Sequence, residues 1–174
     1  MACIMCSGKL WRRLGYSGRQ RTDIPNEGIS GVSLGPWAAK LFTEQGRELI
    51  LALDTRTYLT LLFPFAPAAQ FQPRFADALA SALTDAGVPR AAVRMECAAV
   101  DFESLVPLRN RQLTRALNDV EFSCGIEFAY HDDLRTIQRN LNVIPYPHLD
   151  PCEPIAVIKR LFKSVSPMER LVAH

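Results

Sequence analysis

Three short apolar stretches lie between residues 37 and 63, separated by polar turn candidates, and they set the first expectation for the fold. The stretches are Trp37–Thr43, Glu48–Asp54 and Thr57–Phe63. Short apolar runs bounded by turn residues are typical of β-strands, so the pattern predicts a three-stranded antiparallel meander. Both faces of the second and third stretches are apolar, and we therefore expect helices to cover both faces of the sheet.

Helical spacing follows the meander. Pro73 suits the first turn of a helix and Gly87 suits its C-terminal cap. Later apolar stripes predict helices from Pro89 to about Glu96, from Pro107 to about residue 128, after Asp132 or Asp133, and around residues 155–162, with a strand over residues 99–103. The order predicts an α+β fold: an antiparallel meander sheet of about three to five strands against four to five helices.

Length and composition favour one compact domain over residues 1–174. The chain has 174 residues, of which 48% are hydrophobic and 22% charged, which is ordinary for a globular domain. Two segments interrupt the regular pattern: a loop-rich stretch over residues 15–36 and a proline-rich strap over residues 142–154. No apolar run is long enough for a membrane span or a secretory signal, so we expect a cytoplasmic protein without a membrane partner.

The predicted long helix carries a polar face that is the main candidate binding site. Its members are Asn110, Arg111, Arg115, Asn118 and Asp119. The two arginines could grip a phosphate or a carboxylate, and the other residues could supply directional hydrogen bonds. The alternative is that the whole face is simply solvated.

A second candidate surface is a local basic patch in residues 9–21. It consists of Lys9, Arg12, Arg13, Arg19 and Arg21, with no acid among them. The formal charge of the whole chain is only +2, so the rest of the sequence is net negative. The patch could contact nucleic acid or an acidic partner, although a solvated run of charges is the commoner meaning of such a pattern.

Cysteine and histidine spacing gives little support for a metal. Cys3, Cys6, His148 and Cys152 could in principle supply four zinc ligands, but the His-x-x-x-Cys half is not a standard spacing. Five irregularly spaced cysteines instead indicate thiols in a reducing compartment. We therefore predict no metal and no cofactor.

Four short motifs occur in a recognisable order. They are Cys6-x-x-Lys9-Leu10, Ser33-Leu34-Gly35-x-Trp37-x-Ala39, Asn110-Arg111 with Leu117-Asn118-Asp119, and Leu141-Asn142-x-x-Pro145. Together they resemble a family of small bacterial proteins classed only as a domain of unknown function, over residues 3 to about 158. The chain departs from the family pattern at Lys40, Gln112, Arg115 and Leu117. The resemblance implies a single α+β domain in a bacterial cytoplasm and implies no activity.

These observations favour a non-catalytic binding or regulatory module whose partner is another protein. One alternative is an enzyme acting on a phosphorylated or nucleic-acid substrate, with Arg111 and Arg115 as phosphate clamps and Asp119, His131 or Asp132 as acid–base groups. A second alternative is nucleic-acid binding through the basic patch. Self-association into a homo-oligomer is compatible with each of these hypotheses.

Overall fold

The computed structural model describes residues 2–16 and 34–165 and shows an α+β arrangement. One sheet has the spatial order β4-β3-β2-β1-β5. Its strands are β1 (Ala2–Cys6), β2 (Trp37–Glu44), β3 (Arg47–Asp54), β4 (Thr60–Pro64) and β5 (Val100–Pro107). The helices of the described residues are α1 (Gly8–Arg13), α2 (Phe71–Asp85), α3 (Arg90–Ala99), α4 (Arg111–Phe128), α5 (Leu134–Leu141) and α6 (Pro154–Val165). None of these helices is long and apolar enough to cross a membrane.

The sheet is mixed, which corrects the prediction of an antiparallel meander. Strands β2, β3 and β4 pair antiparallel, as predicted for this part of the chain. Strand β1 lies between β2 and β5 and runs parallel to both, with Cys6 opposite Ala39 on one side and Pro107 on the other. All five residues of β1 are buried, as expected for a central parallel strand, so no apolar–polar alternation marks it in the sequence.

Several element boundaries also differ from the prediction, for local reasons. The third predicted strand begins at Thr60 and not at Thr57, because Tyr58 has a positive φ of 58° and belongs to the turn. Pro107 ends β5 and does not open α4, which begins at Arg111. The described residues contain six helices, one more than the four to five expected, since the opening segment forms both β1 and α1.

Apolar side chains cover both faces of the sheet, as the sequence pattern predicted. On one face Trp37 is fully buried and packs edge-on against Phe75 of α2 at 5.3 Å between ring centroids. On the other face Leu51 of β3 lies in a cluster with Leu117 of α4 and Ile137 of α5. Helix α4 is therefore held on the sheet by one side only, and its opposite side faces outward.

Side-chain amides of α5 satisfy the backbone of the edge strand β4. Asn142, just after α5, accepts from the Thr60 N–H at 2.7 Å and donates to the Thr60 carbonyl at 2.8 Å. One turn earlier, Gln138 accepts from the Leu62 N–H at 2.8 Å. An unpaired strand edge can recruit another chain, so α5 closes this edge where a sixth strand would otherwise pair.

The entry to β2 is fixed by a buried carboxylate at the end of β3. Asp54 accepts hydrogen bonds from the backbone N–H groups of Gly35, Arg56 and Thr57, and from the Thr57 hydroxyl. Burial raises the pKa of Asp54, and these bonds oppose the rise. Gly35 has a φ of +95°, and a Cβ at this position would lie 2.4 Å from the Ala2 Cβ, so this position requires glycine.

Candidate interaction face

Helix α4 begins with a side-chain cap that uses one of the predicted site residues. Asn110 Oδ1 accepts from the backbone N–H groups of Gln112 at 2.9 Å and Leu113 at 3.2 Å. These bonds satisfy N–H groups that have no partner inside the helix. Asn110 is therefore a helix cap, and its side-chain oxygen is already occupied.

The buried and exposed sides of α4 follow its 3.6-residue repeat. The buried stripe is Leu117, Val120, Cys124 and Phe128. The opposite side, which we call the outer face of α4, carries Arg111, Arg115, Asn118, Phe122 and Ile126. Three of the predicted site residues thus share one face with two large apolar residues that the sequence analysis did not single out.

The apolar part of the outer face is unusually exposed. Phe122 is 73% exposed and Ile126, one turn later, is 49% exposed. Exposed apolar residues that occur singly are common on protein surfaces, but neighbouring large ones at an open cavity mark interaction sites more often. This pair is the first sign that the outer face contacts something.

A shallow groove, open to solvent over most of its surface, lies beside Phe122 and has a volume of about 470 Å³. It is lined by Asn118, Glu121, Phe122, Gly125 and Ile126 of α4 and by Glu44 of β2. Gly125 forms its floor: an added Cβ there would come no closer than 3.8 Å to Glu44 Oε2. This helix position therefore has room for a Cβ atom.

One wall of the groove is fixed by Lys40 of β2. The Lys40 ammonium donates to Asn118 Oδ1 at 2.7 Å and also forms an ion pair with Glu121. Its side chain is only 17% exposed, so the sheet positions the cation against the helix. Asn118 and Glu121 are thereby held in place, whereas no hydrogen bond or ion pair of the Glu44 carboxylate is found within the described residues.

Charge is distributed unevenly along α4. The basic residues Arg111 and Arg115 lie in its first half, and Glu121 and Glu127 lie in its second half. The first turn contains no acid and the last turn no base, which is the reverse of the arrangement that the helix dipole favours. Glu44 adds to the acidic end, and the buried Cys124 thiol there has its pKa raised to about 12 by burial first and by nearby glutamates second.

The remaining members of the predicted site are exposed. Arg111, Arg115 and Asp119 lie on the surface of α4, and within residues 2–16 and 34–165 neither arginine side chain forms a hydrogen bond or an ion pair. Asp119 lies on the side that faces the strap, where it helps raise the pKa of Tyr146 to about 12, after burial and Tyr58. The arginines are therefore available to a ligand.

Two acid–base groups of the enzymatic alternative, His131 and Asp132, lie far from the arginines, whereas Asp119 lies one helical turn after Arg115. An 18-residue helix is about 27 Å long, and Arg111 begins α4 whereas His131 and Asp132 follow its other end. His131 lies near Glu127, with 3.8 Å between Nε2 and Oε2. His131 and Asp132 thus do not share a site with Arg111, and Asp119 is the acid–base candidate that lies near Arg115.

The basic patch is only partly available. Lys9 and Arg12 are exposed on α1. Arg13 makes a bidentate pair with Glu48, 2.8 Å from Nη2 to Oε2, and its guanidinium lies over the Phe65 ring at 5.1 Å. Arg19 and Arg21 lie outside the described residues. The three cations of the patch that the structure describes are thus all exposed, and one of them, Arg13, is already paired with Glu48.

The four residues considered for zinc do not converge. Strand residues alternate between faces, so Cys3 and Cys6, three apart on β1, point to opposite sides of the sheet. His148 and Cys152 are exposed in the strap, where His148 packs against Tyr58 at 4.4 Å between ring centroids. No group of three or more potential ligands that could hold a metal occurs among the residues described.

A family model described as "Domain of unknown function (DUF6933)" matches residues 3–157. This match confirms the resemblance drawn from the sequence motifs. No curated protein matches the chain.

Proposed function

We propose that this chain, which belongs to the DUF6933 family, is a protein-binding module that uses the outer face of α4 as its contact surface. The observation that carries the proposal is Phe122, 73% exposed beside a groove of about 470 Å³. An exposed aromatic side chain next to an open groove supplies both a protrusion and a recess for a partner.

The composition of the face supports a protein partner. Aromatic residues and arginine are enriched in interface cores and among the residues that contribute most to binding energy. The outer face combines Phe122 and Ile126 with Arg111 and Arg115. It is also built on a helix fixed to the sheet, so little ordering is needed on binding.

The groove and its charges define the chemistry of the partner. It should present an apolar side chain to the recess over Gly125 and a cation to Glu44. It should also present a carboxylate to Arg111 and Arg115. An amphipathic helix with separated charges meets all three requirements, whereas a polyanion such as nucleic acid meets only the last.

Site-specific photocrosslinking in the host cell tests the proposal. A photoreactive phenylalanine analogue at position 122 should give discrete protein adducts, identified by mass spectrometry of the joined peptides. The matched control places the same residue at Met95, which is 67% exposed on α3 and lies outside the face. Adducts from position 122 that Arg115→Glu abolishes support the proposal; no protein adduct at 122, or the same adducts from both positions, overturns it.

A further inference from the structure

We infer that the partner is a second copy of this chain, docked so that the two α4 helices run antiparallel about a two-fold axis close to Phe122. This inference rests on the proposed function, because it names the occupant of the same face. It is carried by two observations on α4: the shape of the groove and the polarity of the charges.

The groove has the form that receives a side chain from another helix. Asn118, Glu121, Phe122 and Gly125 occupy positions i, i+3, i+4 and i+7. Four residues at this spacing form the hole into which a knob inserts when two helices pack. Gly125 contributes no side chain to this hole.

Phe122 is a suitable knob for that hole, and it belongs to the same face. In an antiparallel pair centred on Phe122, each ring reaches the hole of the other copy. One contact is then made twice, as an isologous two-fold interface requires. The interface would have the exposed apolar pair Phe122 and Ile126 at its centre and charged residues at its rim, the usual anatomy of a protein interface.

The charge pattern of α4 favours the same arrangement. Within one copy, Arg111 and Arg115 lie at the positive end of the helix dipole and the glutamates near its negative end, and both placements are unfavourable. In an antiparallel pair centred on Phe122, Arg115 of one copy lies within about one helical turn, along the helix axis, of Glu44 in the other copy. In both copies the unfavourable charges at the ends of α4 then lie near opposite charges of the partner, and the two helix dipoles point in opposite directions.

Other occupants satisfy fewer of these features. A parallel second copy would place Arg115 beside Arg115 and Glu121 beside Glu121, so like charges would meet. A basic peptide would neutralise Glu44 but would leave the two arginines without carboxylates. Of the two ways of pairing α4 with its own copy, the antiparallel one brings Phe122 to the hole and Arg115 towards Glu44.

Sedimentation velocity of the full chain over a range of micromolar concentrations tests the inference. The wild-type chain should form a concentration-dependent dimer that weakens as salt is added. Gly125→Leu, which fills the hole, and Phe122→Glu, which places two new carboxylates at the axis, should each weaken association by at least about tenfold. Met95→Glu is the matched control for an exposed apolar residue and should dimerise as the wild type does.

A charge-exchange pair makes the test specific for a second copy. Arg115→Glu alone and Glu44→Lys alone should each dimerise poorly, because like charges meet in both contacts. Mixed together they should form a heterodimer, since every contact in it joins opposite charges. Heterodimer formation supports the inference, and failure of the mixture to associate more tightly than either variant alone overturns it.

The two proposals can fail separately. A wild-type chain that stays monomeric at every concentration overturns the inference of self-association. If crosslinking from position 122 then still captures a different, identified protein, the proposed function stands with another partner. If crosslinking also fails, both proposals fall.

Discussion

Replacement of Asn142 by alanine should be one of the most damaging single changes in this chain. Asn142 is 3% exposed, and its side chain forms three hydrogen bonds. Two join it to Thr60, at 2.7 Å to the backbone N–H and 2.8 Å to the carbonyl. The third joins Nδ2 to the Gln138 carbonyl at 2.9 Å.

The expected cost follows from the groups left behind. Thr60 is fully buried, so neither its N–H nor its carbonyl can turn to water after the substitution. Each buried polar group left without a partner costs about 1–3 kcal/mol, which gives a loss of roughly 2–6 kcal/mol in the free energy of unfolding. That is a large part of the roughly 5–15 kcal/mol that stabilises a typical domain.

Urea unfolding followed by circular dichroism measures this loss, and Asn140→Ala is the matched control. Asn140 lies on the same short helix but makes one partly buried bond, 2.7 Å from Nδ2 to Glu127 Oε2. Its removal should cost only about 0.5–1.5 kcal/mol. If Asn142→Ala is no more destabilising than Asn140→Ala, the view that α5 seals the edge of β4 is wrong.

Three further predictions concern stability. Gly125→Ala should raise the free energy of unfolding by about 0.5–1 kcal/mol in thermal or urea unfolding, because alanine favours a helix and the added Cβ meets nothing closer than 3.8 Å; a loss of stability would contradict this. Gly35→Ala should lower the free energy of unfolding by about 2–4 kcal/mol in the same assay, because the new Cβ would lie 2.4 Å from the Ala2 Cβ and φ at this position is positive. A neutral effect would contradict the turn geometry. Hydrogen bonds from Thr136 hold the pKa of Asp133 in the folded protein below its usual range. The contribution of the ionised Asp133 carboxylate to the free energy of unfolding is therefore complete above the pKa of the unfolded chain, and it is lost as the pH falls through the folded pKa. Asp133→Asn should therefore reduce the loss of stability between pH 7 and pH 3, as measured by urea unfolding at each pH, and an unchanged loss would contradict this.

The parts of the fold that were predictable have strong local patterns. Strands β2 and β3 stand out as apolar runs between turn residues, and the stripe around Phe75 marks α2. Strand β1 lacked such a signal, because a short strand buried on both faces has no alternation to detect. Its parallel pairing depends on contacts with residues 37–39 and 100–107, far along the chain, which local pattern cannot supply.

The candidate site was predictable to a similar degree. Helical spacing alone places Arg111, Arg115 and Asn118 on one face, and the same spacing could have added Phe122, since it lies opposite the core stripe. The groove could not be predicted, because it depends on contacts across the chain. Lys40 lies 78 residues from the Asn118 that it holds, and Glu44 reaches the helix only because β2 packs beneath it.

The motif residues and the residues on the outer face of α4 have different roles in this chain. Gly35 is required by a close backbone approach, Asn110 by the start of α4, and Asn142 by the edge of β4. These motif residues therefore have structural roles, and their presence argues for the fold alone. Phe122 and Gly125 contribute nothing comparable to the core, and a helix without a partner would be more stable with alanine at Gly125. A glycine that weakens the helix beside an exposed aromatic ring and an open groove is best explained by a partner that binds there. Binding should therefore be tested at α4 before any other surface.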